Sequence, residues 1–207
     1  DHGIAFPGMK CNLTAHGTGV ALVVDFPGNP KRGIVSDALV SHLDLYPTIC
    51  DILGLDKPEH LIGNSLVPLI DGDVDSVRDD VFAEVNFHAA REVMRSVRTN
   101  RYNYVRIFDE DAHLALPNID GGPSKSVLVE AGLSSRPPRP RIQLYDLLYD
   151  PQERHNLADD PAYCDVRLEM DRRLKTWMVQ TDDPVFTGSI KAPEGAVMDP
   201  RDEMDPS

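Results

Sequence analysis

The sequence predicts an α/β fold: the end of a sheet of strands and helices, then a smaller antiparallel sheet closed by a helix. Three patterns carry this expectation. An apolar, β-branched run at residues 20–26 precedes a second extended stretch and a helix, an order that suits the last part of an α/β sheet. Residues 81–88 alternate apolar and polar side chains, the period of a half-buried strand. Apolar residues near the C-terminus recur at helical spacing and define one face.

The elements follow in order. Val20 to Phe26 is short and apolar, as a buried strand is, and Pro27-Gly28-Asn29-Pro30 ends it with turn chemistry. A second strand is predicted near Ile34 to Leu43. A helix is predicted from Asp44 to Leu53, with Asp44 as N-cap, Pro47 tolerated in the first turn and Gly54 as the stop. Asp71-Gly72-Asp73 marks a linker, so a first domain is placed at residues 1–75.

Val81, Ala83, Val85 and Phe87 then alternate with Phe82, Glu84, Asn86 and His88. Residues 93–99 and 101–108 predict a hairpin turning near Thr99-Asn100. Residues 109–140 hold Gly, Pro, Ser and charges with little periodicity, and predict a long loop. Ile142 to Tyr149 predicts another strand. Asp160-Pro161 opens a helix as N-cap and first-position proline. Tyr163, Val166, Met170, Leu174, Trp177 and Met178 fall at offsets 0, 3, 7, 11, 14 and 15, one face aimed at the sheet. A small antiparallel domain is therefore placed at 76–186, and the Pro-, Asp- and Glu-rich residues 187–207 are expected to form a flexible tail.

Composition narrows the function. The chain has 207 residues, 41% of them hydrophobic, enough for a sizeable core. Its formal charge of -13 argues against nucleic acid as a partner, which needs a basic surface. The same charge would repel a polyanion unless cations cluster locally or a divalent metal offsets it. No apolar run reaches the roughly 18 residues that a membrane-spanning helix needs. Cys11, Cys50 and Cys164 are far apart and form no CxxC pair.

Two groups of residues suggest chemistry. In Asp1-His2-Gly3 a carboxylate is followed by an imidazole, and Gly3 lets the backbone turn. Such a pair can ligate a divalent cation, though the triplet also fits a plain polar turn. Lys10 follows on the same loop and can place a point charge near an anion. His16, in Ala15-His16-Gly17-Thr18-Gly19, is either structural or substrate-facing. Glu84 and His88 share one face of the strand at 81–88 and can reach a substrate, although a polar strand face is solvated by default.

Several stretches together resemble the second half of a sulfatase. These are Asp1-His2-Gly3, Lys10, Gly17 to Leu22, Phe26-Pro27-Gly28 and Ser41-His42-Leu43-Asp44-Leu45-Tyr46-Pro47-Thr48. Met94-Arg95-Ser96-Val97-Arg98-Thr99 and Arg101-Tyr102-Asn103-Tyr104 are similar to the C-terminal subdomain of that family. So is the run Leu144-Tyr145-Asp146-Leu147, Asp150-Pro151-Gln152-Glu153, Asn156-Leu157-Ala158. Ile4 to Pro7, Asn12-Leu13, Lys31-Arg32, Asp182-Asp183-Pro184 and Ala192-Pro193-Glu194-Gly195 resemble the sulfamidase branch. The loop at 109–140 and the far C-terminal tail fall outside the resemblance.

The resemblance implies an alkaline-phosphatase-like sulfatase fold, with the end of its large mixed sheet followed by an antiparallel subdomain packed on a C-terminal helix. It implies that Asp1 and His2 are calcium ligands and that Lys10 is a catalytic residue contacting the sulfate group. It implies a sulfated sugar, such as N-sulfoglucosamine, or a small sulfate ester as the partner molecule; a homo-oligomer is left open. Family members are often lysosomal, periplasmic or secreted, which fixes no compartment here. The family's nucleophile is a formylglycine made from Cys or Ser in a C/S-x-P-S/A-R motif of the N-terminal half. No cysteine here has that context. Ser135-Arg136-Pro137-Pro138-Arg139 fits the bare spacing, but it follows the metal motif and has proline at the fourth place. The chain is therefore expected to lack the nucleophile segment and to be inactive alone. An alkaline-phosphatase-like phosphoesterase and a non-catalytic degenerate sulfatase are the competing readings.

Overall fold

A computed structural model of the chain describes residues 6–188 and 190–204. Its elements are α1 (Ala15–Thr18), α2 (Leu45–Leu53), α3 (Val67–Asp71), β1 (Val81–Phe87), β2 (Arg91–Arg98), β3 (Tyr102–Ile107), α4 (Pro123–Glu130), β4 (Ile142–Asp146) and α5 (Cys164–Gln180). The chain divides into two compact units: Asp1–Ala21 with Phe82–Val97 and Arg101–Ser207, and Leu22–Val81 with Arg98–Asn100.

The first unit is built on a four-stranded antiparallel sheet of order β1-β2-β3-β4. In the β3–β4 pair Tyr104 faces Leu144 and Tyr102 faces Asp146. Side chains on a strand alternate between faces, so Tyr104 and Val105 serve different cores. Val97, Tyr104 and Leu144 pack with Met170, Leu174 and Met178 of α5. The predicted face of that helix is thus the buried one, with Tyr163, Val166 and Trp177 packed around it. Trp177 stacks on Phe82 at 4.9 Å. On the other face Met94, Val105 and Ile107 pack with Ala112 and with Leu13 of the N-terminal loop. That second core holds the N-terminal loop against the sheet.

Several sequence expectations change in detail. The helix expected from Asp160 begins with a 3₁₀ turn at Pro161–Tyr163, and Asp160 accepts from the Ala162 N–H at 2.9 Å. The strand expected over 142–149 ends at Asp146. There the Asp150 N–H turns back to the Asp146 carbonyl at 2.8 Å. The loop expected over 109–140 contains α4 and 3₁₀ turns at Leu116–Asn118 and Leu133–Ser135. Periodicity could not reveal α4, because Lys125 is its one buried residue. Beyond Phe186, Ile190 is buried and Arg201 donates to the Arg91 carbonyl at 2.6 Å and the His113 carbonyl at 2.5 Å.

In the second unit, the strands expected at 20–26 and 34–43 are not formed; among the described residues none from 20 to 40 lies in a strand. Val23 and Val35 are 92% and 93% exposed. A strand needs a ladder partner for its backbone groups, and among the described residues the sheet is made of β1 to β4. α2 forms as expected and stops at Gly54 in the left-handed conformation, φ 64°. Its cap differs: Ser41 and Asp44 form a capping box on the 3₁₀ turn His42–Asp44 that leads into α2. Asp44 itself is fully buried. Its carboxylate accepts from the backbone N–H groups of Ser41 and Asn64, both at 2.8 Å, and from Arg78 Nε at 3.0 Å.

Candidate functional site

The candidate site is the N-terminal loop lying on the sheet face opposite α5. Its shape follows from short polar links. Asn12 donates from Nδ2 to the Gly8 carbonyl at 2.7 Å and accepts from the Leu13 N–H at 2.9 Å. Gly17 sits where a Cβ would lie 2.1 Å from the Asn12 carbonyl oxygen and 2.4 Å from that of Met9. Only glycine permits that approach. Two buried residues fasten the loop below. Asn103 on β3 donates to the Leu13 carbonyl at 3.0 Å and to Glu153 Oε1 at 2.5 Å. Glu153 Oε2 in turn accepts from the Ala15 N–H at the start of α1.

Lys10 stands on this anchored loop with its side chain 20% exposed. Its ammonium donates to Asp120 Oδ1, and Asp120 is 60% exposed. Asp120 was not foreseen from sequence: it lies 110 residues away, in the stretch expected to be a loop. The segment bearing it is fixed. Asn118 accepts from the Ala90 N–H at 2.7 Å and donates to Glu92 Oε2 at 2.8 Å. Ile119 is buried, and its carbonyl accepts from Lys125 Nζ at 3.0 Å. Glu92 is buried too and pairs with Arg139, with Arg201 3.8 Å from the same oxygen.

The other residues named from sequence are dispersed. His16 lies in α1, half-buried. Glu84 is half exposed on β1, 3.3 Å from Arg95 Nε. His88 is exposed just after β1. Asp1 and His2 lie outside the described residues. Among the described residues no three His, Cys, Asp or Glu side chains converge to hold a metal. Cys11, next to Lys10, is not a thiolate at neutral pH. Burial, reinforced by the Glu92 charge, pushes its thiol from 9.0 up to about 11 despite the opposing Lys10 charge.

Residues 11–128 match the family described as N-sulphoglucosamine sulphohydrolase, C-terminal. Human N-sulphoglucosamine sulphohydrolase is 32% identical over 229 residues, covering 95% of this chain and 43% of the human protein. The chain belongs to the N-sulphoglucosamine sulphohydrolase family. An ulvan-active sulfatase of Formosa agariphila is 30% identical over 197 residues, covering 93% of this chain and 39% of that protein. A solved 2-O GAG sulfatase superposes with a TM-score of 0.52 at 25% identity, over 72% of this chain and 27% of its own. The chain is the C-terminal portion of an alkaline-phosphatase-like sulfatase fold, and it spans about two fifths of the length of the two curated relatives.

Family membership gives the anchoring residues a context. Asn103 and Glu153 both lie in stretches that resemble sulfatases in sequence, yet neither was expected at the site. A recognisable motif here marks the residues that hold the loop, which sequence spacing alone does not show.

Proposed function

We propose that the intact protein is a sulfatase, a hydrolase of sulfuric esters or sulfamates, acting on a sulfated sugar such as N-sulfoglucosamine. The observation that carries this reading is the 32% identity to a human N-sulphoglucosamine sulphohydrolase across 95% of the chain. The structure supports it chemically by fixing Lys10 on a loop that Asn103 and Glu153 hold to the sheet. A fixed cation near a sulfate lowers the energy of charge that develops on its oxygens, without reorganisation during the reaction.

In this reading Lys10 contacts the sulfate group, and Asp1 and His2 are calcium ligands. The donors suit that ion in part: an aspartate oxygen is a usual calcium ligand, whereas an imidazole suits softer metals too. When bound, the cation would neutralise sulfate charge. His16 and His88 are assigned to the sugar side; Glu84, beside Arg95, shares the sheet face of Phe82 and α5, opposite the Lys10 loop, and is left out of the site. The formylglycine nucleophile is assigned to the part of the family's length that this chain does not span, so the 207-residue chain alone is inactive.

The test is hydrolysis by the intact protein of N-sulfoglucosamine, aryl sulfate and aryl phosphate. Sulfate release should dominate, and Lys10→Ala should lower kcat/KM about a hundredfold or more, as loss of one charge-stabilising group does. Preferential phosphate release would replace the sulfatase reading with a phosphoesterase one. Sulfate release by the isolated chain, above that of its Lys10→Ala variant, would refute the assignment of the nucleophile elsewhere.

A further inference from the structure

The partner of Lys10 is itself informative. A lysine meant simply to attract an anion is best left without a nearby carboxylate, since two anions at ion-pair range repel. Lys10 instead donates to Asp120. Nor is Asp120 a stray side chain on a wandering loop. Its neighbours Asn118 and Ile119 are each 1% exposed, and Asn118 is bonded to both the Ala90 N–H and Glu92. The backbone at Asp120 is therefore fixed, while its side chain is 60% exposed beside Lys10. The other carboxylate of this neighbourhood, Glu92, is buried and so does not meet an incoming ligand.

A carboxylate only accepts hydrogen bonds. Beside a sulfate-binding lysine it repels a bare sulfate dianion. It does not repel a sugar sulfate in the same way, because the ring brings hydroxyl donors of its own. We propose that Asp120 is a specificity-determining residue that disfavours inorganic sulfate at Lys10 and receives hydroxyl groups of the sugar whose sulfate Lys10 contacts. The inference rests on the sulfatase reading given above. It makes the Lys10–Asp120 pair a two-charge recognition unit that holds the substrate better than the released sulfate.

The experiment is steady-state kinetics of the intact protein, measuring KM for N-sulfoglucosamine and the inhibition constant of inorganic sulfate. Asp120→Asn should lower the sulfate inhibition constant about two- to fivefold, the scale of an exposed ion pair. It should raise KM about tenfold, the scale of hydrogen bonds to a charged group. Asp120→Glu should keep the ratio of the two constants within about threefold of wild type, because the charge and the acceptor remain. If Lys10→Ala lowers kcat/KM but Asp120→Asn leaves the ratio unchanged, the role of Asp120 is refuted and the sulfatase reading stands. If Lys10→Ala leaves kcat/KM unchanged, or the intact protein does not hydrolyse the sugar sulfate, the sulfatase reading itself fails. Asp120 is more than half exposed, so its substitution does not threaten the core; matching thermal unfolding of the variants would confirm this.

Discussion

Asn103 and Glu153, 50 residues apart, meet beneath the N-terminal loop through a 2.5 Å hydrogen bond. Both are buried, and between them they satisfy the Leu13 carbonyl and the Ala15 N–H. The two residues thus tie the loop that carries Lys10 to β3 and to the turn after β4. Glu153 itself adopts a left-handed backbone, φ 53°, closed by its N–H to the Asp150 carbonyl at 3.0 Å.

Removing that carboxylate should loosen the loop. Glu153→Ala leaves the Ala15 N–H and one N–H of the Asn103 amide without their acceptor, the other still meeting the Leu13 carbonyl, at a cost of about 1–3 kcal/mol for each buried group. Glu153→Gln should fall between it and wild type. Both carboxylate oxygens face N–H donors, so one end of a glutamine must point its own donors at a donor. Denaturant unfolding of the three proteins orders them. A Glu153→Ala midpoint equal to wild type would show that the latch contributes nothing to stability.

Arg95 and Asp183 make a second long-range link, this one on the stability of the sheet. Arg95 is fully buried, and its guanidinium meets Asp183 at 2.6 and 3.1 Å. Asp183 also accepts from the Val185 N–H at 2.9 Å. Asp183→Ala leaves the buried arginine with the half-exposed Glu84, 3.3 Å from Nε, in place of its buried partner, and should cost about 3 kcal/mol, the low end for a broken buried pair. The pair also sets an acid limit. Burial alone would raise the Asp183 carboxyl; the bonds from Arg95 and Val185 outweigh it and hold it below its ordinary 3.8. A carboxyl lowered on folding adds stability that is complete above its unfolded value and is lost as pH falls through the folded one. Wild type should therefore lose stability below pH 3.8 more steeply than Asp183→Asn does. Parallel pH profiles would remove Asp183 from the acid response.

How far such links could be read beforehand depends on their range. The apolar face of α5 was legible because its spacing is local, and Met170, Leu174 and Met178 are buried. The alternation from Val81 to Phe87 was legible for the same reason, and β1 forms there. Val20 to Phe26 has the composition of a strand, but a strand is a pairing, and this run finds no ladder partner among the described residues. Asp44 looked like a helix cap and is instead an anchor for Asn64 and Arg78, 20 and 34 residues on. At the candidate site Lys10 was picked out by its neighbours in sequence. Asp120, Asn103 and Glu153 were not, because their partners lie 50 to 138 residues away along the chain.

Cys11 offers the most local test of the electrostatics around Lys10. It has a left-handed backbone, φ 56°, and its thiol is raised to about 11, first by burial and then by Glu92, with Lys10 pulling the other way. At pH 8 its thiolate fraction should be about a hundredfold below that of a thiol titrating near 9, and alkylation should slow in proportion. Lys10→Ala removes the cation that pulls the thiol down and should slow it further. A second consequence follows by linkage. The unfolded chain releases the Cys11 proton near 9.0 and the folded one near 11, so between those values the unfolded state binds fewer protons and stability declines as pH rises. Cys11→Ser should flatten that decline. Alkylation of Cys11 at pH 8 as fast as that of an unhindered thiol would overturn this account of the charges around Lys10. It would also reopen Cys11 as a nucleophile, a role that its protonated state at neutral pH now argues against.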